Sequence, residues 1–147
     1  MNITHLTDSR DCLNKLISGC VGKPWAVMGR GPGSFDCWGF VRHVLKNGFG
    51  FDAPDWLYEA GPEIRPSLFE TGRTTPGWYQ LDSFKPYCVV LIGQSDKITH
   101  VGLYHPDNMI FHSLESKGVV GTTMQAMRRL GFGLLIPYAH KDMAWLT

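Results

Sequence analysis

The chain has 147 residues, 44% hydrophobic and 18% charged, the proportions of one globular domain able to bury a core without staples. A formal net charge of +1 gives no electrostatic reason to expect nucleic acid or an anionic membrane as partner. No apolar run approaches the roughly 20 residues that span a bilayer, and the polar stretch 1–10 lacks a signal-peptide pattern, so a cytoplasmic protein as synthesised is expected.

Taken in order, residues 8–21 carry Cys12, Leu13, Leu16, Ile17, Cys20 and Val21 at helical spacing, with Asp8 or Ser9 as cap. Cys12 and Cys20 read as core fillers of that helix. At roughly 1.5 Å per residue they lie about 12 Å apart, too far for a disulfide, and a reducing compartment fits. A Gly- and Pro-rich loop over 22–35 follows. From Cys37 the positions Phe40, Val41, Val44 and Leu45 form an apolar stripe, with Arg42, His43, Lys46 and Asn47 on the other side. Asp36 or Ser34 caps this second helix, and Asn47-Gly48 is its expected stop. A thiol at a helix N-terminus is the kind most readily turned into a thiolate, because unpaired N–H groups and the helix dipole place positive charge there.

Residues 50–86 show no period and are rich in proline and aromatic residues. They read as a long irregular insertion, packed as a flap by Trp56, Tyr58, Trp78 and Tyr79, with one helical turn at 55–60. Strands are expected over 87–92, 98–104, Met109–Leu114, 118–120 and 133–138, and a short surface helix over 124–130, where Arg128 and Arg129 read as a solvated pair. Helices first and strands second indicate an α+β fold with an antiparallel sheet, and the whole of 1–147 reads as a single domain.

His100 and His112 sit on the two strands that flank His105-Pro106-Asp107-Asn108. A three- or five-residue connection places both rings on one face, whereas two or four residues would separate them. On one face, the first imidazole can take the Cys37 proton while the second orients it, the nucleophile–base–orienter logic of thiol hydrolases. Each residue alone has an ordinary reading as a packed core side chain. Cys37, His100 and His112 are also zinc-ligand types, but their spacing resembles no compact ligand set, so no metal and no cofactor is expected.

Gly22-Lys23-Pro24-Trp25, Gly29 and Phe35-Asp36-Cys37-Trp38-Gly39-Phe40-Val41 resemble the cysteine block of NlpC/P60 cell-wall cysteine peptidases. His100-Val101-Gly102-Leu103-Tyr104 resembles their histidine block, and Phe111-His112 falls where the third catalytic residue stands. The resemblance implies a papain-like α+β core with the nucleophile helix packed on an antiparallel sheet. It implies a Cys-His-His triad of Cys37 as nucleophile, His100 as general base and acid, and His112 as orienter, with the Cys37 N–H meeting the oxyanion. Trp25, Asp36 and Trp38 are the expected substrate contacts, and bacterial peptidoglycan stem peptides the expected substrate. Two positions depart from the family pattern. Trp25 replaces a tyrosine and cannot accept a hydrogen bond, and Trp38, where a small residue is usual, resembles the bulky variants of phage-tail members more than the secreted enzymes. A phage or prophage tail component, with tail proteins as partners, is the expected setting. Two rival functions share this reading of the fold. One is a non-catalytic tail-assembly or docking module, the other a thiol amidase or acyltransferase acting on a different acyl group.

Overall fold

A computed structural model describes residues 3–55 and 74–146. Helix α1 spans Ile3–Cys20 and helix α2 spans Cys37–Phe49. The strands are β1 (Trp78–Gln80), β2 (Val89–Gln94), β3 (Lys97–His105), β4 (Met109–Leu114) and β5 (Gly118–Thr123). Helix α3 (Met124–Arg129) and strand β6 (Leu134–His140) follow, then a 3-10 turn at Ala144–Leu146. The strands form one antiparallel sheet in the order β1-β6-β2-β3-β4-β5. The α+β class read from the sequence is the class observed.

Strand alternation sorts the core into two layers. Val89 and Leu91 join the large cluster built by α2, whose stripe of Phe40, Val41, Val44 and Leu45 is fully buried. Val90 and Ile92 join Ile110 and the two buried methionines of α3, Met124 and Met127. The surface helix read over 124–130 is thus a lid on the second layer. Helix α1 packs on α2 through Leu13, Ile17 and Cys20, whereas Cys12 is exposed and Val21 is 45% exposed, so neither fills the core as expected. Over residues 10–20 α1 does turn one face inward, but that face is narrower than the apolar pattern suggested.

The expected stop at Asn47-Gly48 is also displaced. Gly48 lies inside α2, where a Cβ would come within 2.5 Å of Leu13 Cδ2, so its missing side chain lets the two helices approach. Gly50, at φ 72°, ends the helix in the left-handed conformation instead. Within the insertion read over 50–86, Trp78–Gln80 is not irregular but forms the edge strand beside β6. The helical turn read at 55–60 lies outside the described residues apart from Asp55.

Candidate active site

The start of α2 is fixed by its cap. The Asp36 carboxylate accepts the Gly39 N–H at 2.7 Å, and its other oxygen pairs with Arg30 Nη1 at 2.7 Å. Arg30 reaches on to Asp55 with Nε and Nη2 at 2.6 and 2.9 Å, a bidentate fork, and Arg42 touches the same carboxylate at 3.2 Å. This chain of charges fastens the loop before the helix to the segment after it, a geometry for which arginine is suited. Gly39 permits the arrangement, since a Cβ there would collide with the Gly29 carbonyl.

Cys37, the first residue of α2, is only 2% exposed. Burial pushes its thiol up to about 12, and the Asp36 charge adds to the effect. Hydrogen bonds from the Val101 and Trp38 backbone and the charge of Arg30 oppose the shift without cancelling it. The helix-dipole argument of the sequence is therefore outweighed: removal from water costs the anion more than the helix start returns. At rest the sulfur is a neutral thiol.

The imidazoles come from β3 and β4, joined through three residues, with Leu103, Tyr104 and His105 paired to Phe111, Ile110 and Met109. That length is one of the two that put both rings on one face. His100 Nε2 and His112 Nδ1 lie 2.9 Å apart, and His112 Nε2 lies 2.9 Å from Thr122 Oγ1 on β5. Between the histidine-bearing strands, Gly102 leaves room for the second ring, as a Cβ on it would stand 3.2 Å from His112 Cβ. A bulge in β3 makes Thr99 the extra residue: Ile92 pairs with His100, while Gly93 pairs with Ile98. Bulges re-aim side chains, and Thr99 and His100 both face a cleft of about 310 Å³ that Cys37, Trp25, Glu115 and Phe132 also line. Phe132 stacks on His100 with ring centroids 6.2 Å apart.

Burial holds His100 down to about 3, with the neighbouring His112 adding to the shift, and holds His112 down to about 4. Among the described residues no hydrogen bond joins the Cys37 thiol to the His100 ring, so the resting site is a neutral thiol beside a neutral imidazole pair. A stability consequence follows with a definite sign. From the ordinary value of 6.5 down to about 4, the unfolded chain binds protons that the folded rings refuse. Stability is therefore full above pH 6.5 and expected to fall as the pH drops, by up to about 1.4 kcal/mol per pH unit for each ring. Urea midpoints measured at about pH 7 and about pH 4.5 should show a smaller loss in His112→Asn than in the wild type; equal losses would contradict a neutral buried His112.

Of the residues expected to touch substrate, Trp25 lines the cleft. Asp36 and Trp38 do not. Asp36 is 2% exposed and committed to Arg30 and Gly39; Trp38 is fully buried, donates its indole N–H to Pro54 O at 3.0 Å and packs edge-on against Trp78. Both are scaffold for α2. Thr122, Glu115, Thr99 and Phe132 were not singled out from the sequence. Of these, Thr122 could have been found by extending β5 two residues with the alternation that pairs Val120 with His112.

The model of the NlpC/P60 family matches residues 22–129, which include α2, His100, His112 and Thr122. The chain belongs to the NlpC/P60 family. The NlpC/p60 domain of the peptidoglycan hydrolase SagA has a similar structure, at 18% identity and a TM-score of 0.58, covering 84% of this chain and 94% of that one. NlpC2 from Trichomonas vaginalis superposes with a TM-score of 0.60 at 13% identity, over 89% of this chain but 48% of that one. The P60 domain of a Mycobacterium avium subspecies paratuberculosis antigen gives 0.52 at 16%, over 89% and 94%. At such identities the likeness is one of fold. No curated protein matches the sequence. The NlpC/P60 family comprises cysteine peptidases, and among the described residues no helix is long and apolar enough to cross a membrane.

Proposed function

We propose that this NlpC/P60 chain is a thiol hydrolase that cuts amide bonds in bacterial cell-wall stem peptides. Cys37 is the nucleophile, His100 the general base and acid, and His112 the orienter. The observation that carries the reading is the 2.9 Å His100–His112 bond beside a cleft shared by His100 and Cys37. His100 Nε2 is taken by His112, which leaves Nδ1 as the nitrogen that can accept the Cys37 proton. The thiolate then attacks the scissile carbonyl, with the Cys37 N–H meeting the oxyanion, because the first residue of a helix has no intrahelical acceptor for its own N–H. His100 returns the proton to the leaving amine, and a thioester remains. Water, deprotonated by His100, releases the acid and restores the thiol.

The neutral resting pair fits this sequence of events. Charge separates only when substrate fills the cleft and supplies the electrophile. Delivery to the wall in a phage or prophage tail is the setting we propose, on the strength of Trp38, the bulky residue where secreted members usually carry a small one.

A docking module on the same fold is favoured by one observation, the protonated thiol at about 12 with no hydrogen bond to His100. Digestion of purified peptidoglycan decides between them. The hydrolase should release split stem peptides with new free amines, visible by mass spectrometry. Intact stem peptides after prolonged incubation would support the docking module, or an amidase or acyltransferase with another acyl substrate.

A further inference from the structure

The relay behind His100 has a direction, and that direction places a demand on its last member. This inference rests on the reading of His100 as base. For His100 Nδ1 to be unprotonated, His100 Nε2 must donate to His112 Nδ1, and His112 Nε2 must donate to Thr122 Oγ1. The Thr122 hydroxyl then accepts from the ring, and its own proton has to point elsewhere. The opposite direction, with Thr122 donating to His112, puts a proton on His100 Nδ1 and removes the base.

Thr122 lines a second cavity of about 470 Å³, bordered also by Leu114, Lys117, Ala126, Arg129 and Leu130. Leu114 borders this cavity and the Cys37 cleft alike, so the two adjoin along the turn between β4 and β5. The lining holds two cations and, among the described residues, no carboxylate. Neither Lys117 nor Arg129 has an ion-pair partner among the described residues, although the chain as a whole carries 13 acidic residues against 14 basic ones. An anion seated between these two cations would be a stronger acceptor for the Thr122 proton than water, and so favours the direction of the relay in which His100 is the base.

We infer that this cavity is a carboxylate subsite for the peptide substrate. Lys117 and Arg129 hold the anion, Thr122 donates its hydroxyl proton to it, and the bound carboxylate thereby fixes the tautomer in which His100 is a base. The subsite selects substrates that bear a free carboxylate near the scissile bond and shifts the relay toward the basic tautomer when one is bound. Thr122 is a positioning residue in this scheme, since it acts on the reacting atoms through His112. Arg129, read from the sequence as a solvated surface charge, acquires a task.

The test uses three synthetic stem tripeptides, L-alanyl-γ-D-glutamyl-L-lysine with both carboxylates free, with the glutamyl α-carboxylate as carboxamide, and with the C-terminal carboxylate as carboxamide. Calorimetry on Cys37→Ala protein reads affinity, and turnover by protein with an intact Cys37 reads kcat. One of the two amidated peptides should bind roughly tenfold more weakly than the free form, and which one it is identifies the carboxylate. The Lys117→Ala/Arg129→Ala protein should bind all three alike. Thr122→Val should lower kcat on the preferred peptide by more than it raises KM, and Thr122→Ser should restore both. Equal affinity for all three peptides, or no binding of any, overturns the subsite even if hydrolysis proceeds. A carboxylate preference in binding without hydrolysis of any peptide keeps the subsite and sinks the hydrolase reading instead.

Discussion

Replacing Cys37 with alanine is expected to remove hydrolysis of peptidoglycan, lowering the rate on the order of 100,000-fold, while leaving the fold in place. The loss is this large because no other thiol lines the cleft to form the thioester. Cys88 and Cys20 are buried elsewhere, and Cys12 is exposed on α1. Little of the fold depends on the sulfur itself. The helix start is held by Asp36 on Gly39 and by Arg30, and Ser113 Oγ donates to Phe35 O at 2.7 Å from the neighbouring strand. Circular dichroism and the urea midpoint should change little, so that lost activity reports on chemistry. Wild-type digestion by the alanine protein would remove Cys37 from the reaction.

His100→Ala is expected to cost roughly 1,000- to 10,000-fold in kcat/KM, the range of a general base that also serves as acid. With the thiol pushed up to about 12 by burial, no useful fraction of thiolate exists near neutral pH without a proton acceptor beside it. His112→Ala should cost about 100-fold less than His100→Ala, because an orienter sets the tautomer but exchanges no proton with substrate. Measuring both variants on one peptide separates the roles. Equal losses would make the two rings a single unit, and a larger loss at His112 would reverse their assignment.

Much of this site was legible because it depends on parity and spacing. The stripe behind Cys37 followed from helix periodicity, with Asp36 or Ser34 as its cap, and the same-face placement of His100 and His112 followed for a connection of three or five residues; the structure has Asp36 and three residues. Side-chain environment was not legible in the same way. Helix-end electrostatics point toward a thiolate at Cys37, yet the actual proton affinity depends on burial under the cleft residues, which only the folded chain supplies. Trp38 beside the nucleophile suggested a substrate contact, but its indole N–H is spent on Pro54, sixteen residues away. Thr122 was lost because the strand was read only over 118–120, short of Gly121. In fact a Cβ at Gly121 would lie 2.7 Å from the Phe111 ring and 2.8 Å from Met109 Sδ, so the glycine lets two cross-strand side chains lie over β5. Gly48 misled for the same reason at the contact of α1 with α2.

The central claim is that Cys37 carries the acyl group of a cell-wall peptide through a thioester. Its most direct test is the intact mass of the protein, quenched in acid during turnover of a stem peptide, followed by mapping of the modified fragment. The expected result is a mass increase equal to the acyl portion of the peptide, located on Cys37 and absent from Cys37→Ala. Turnover with no adduct on Cys37, or with the acyl group on another residue, would contradict it.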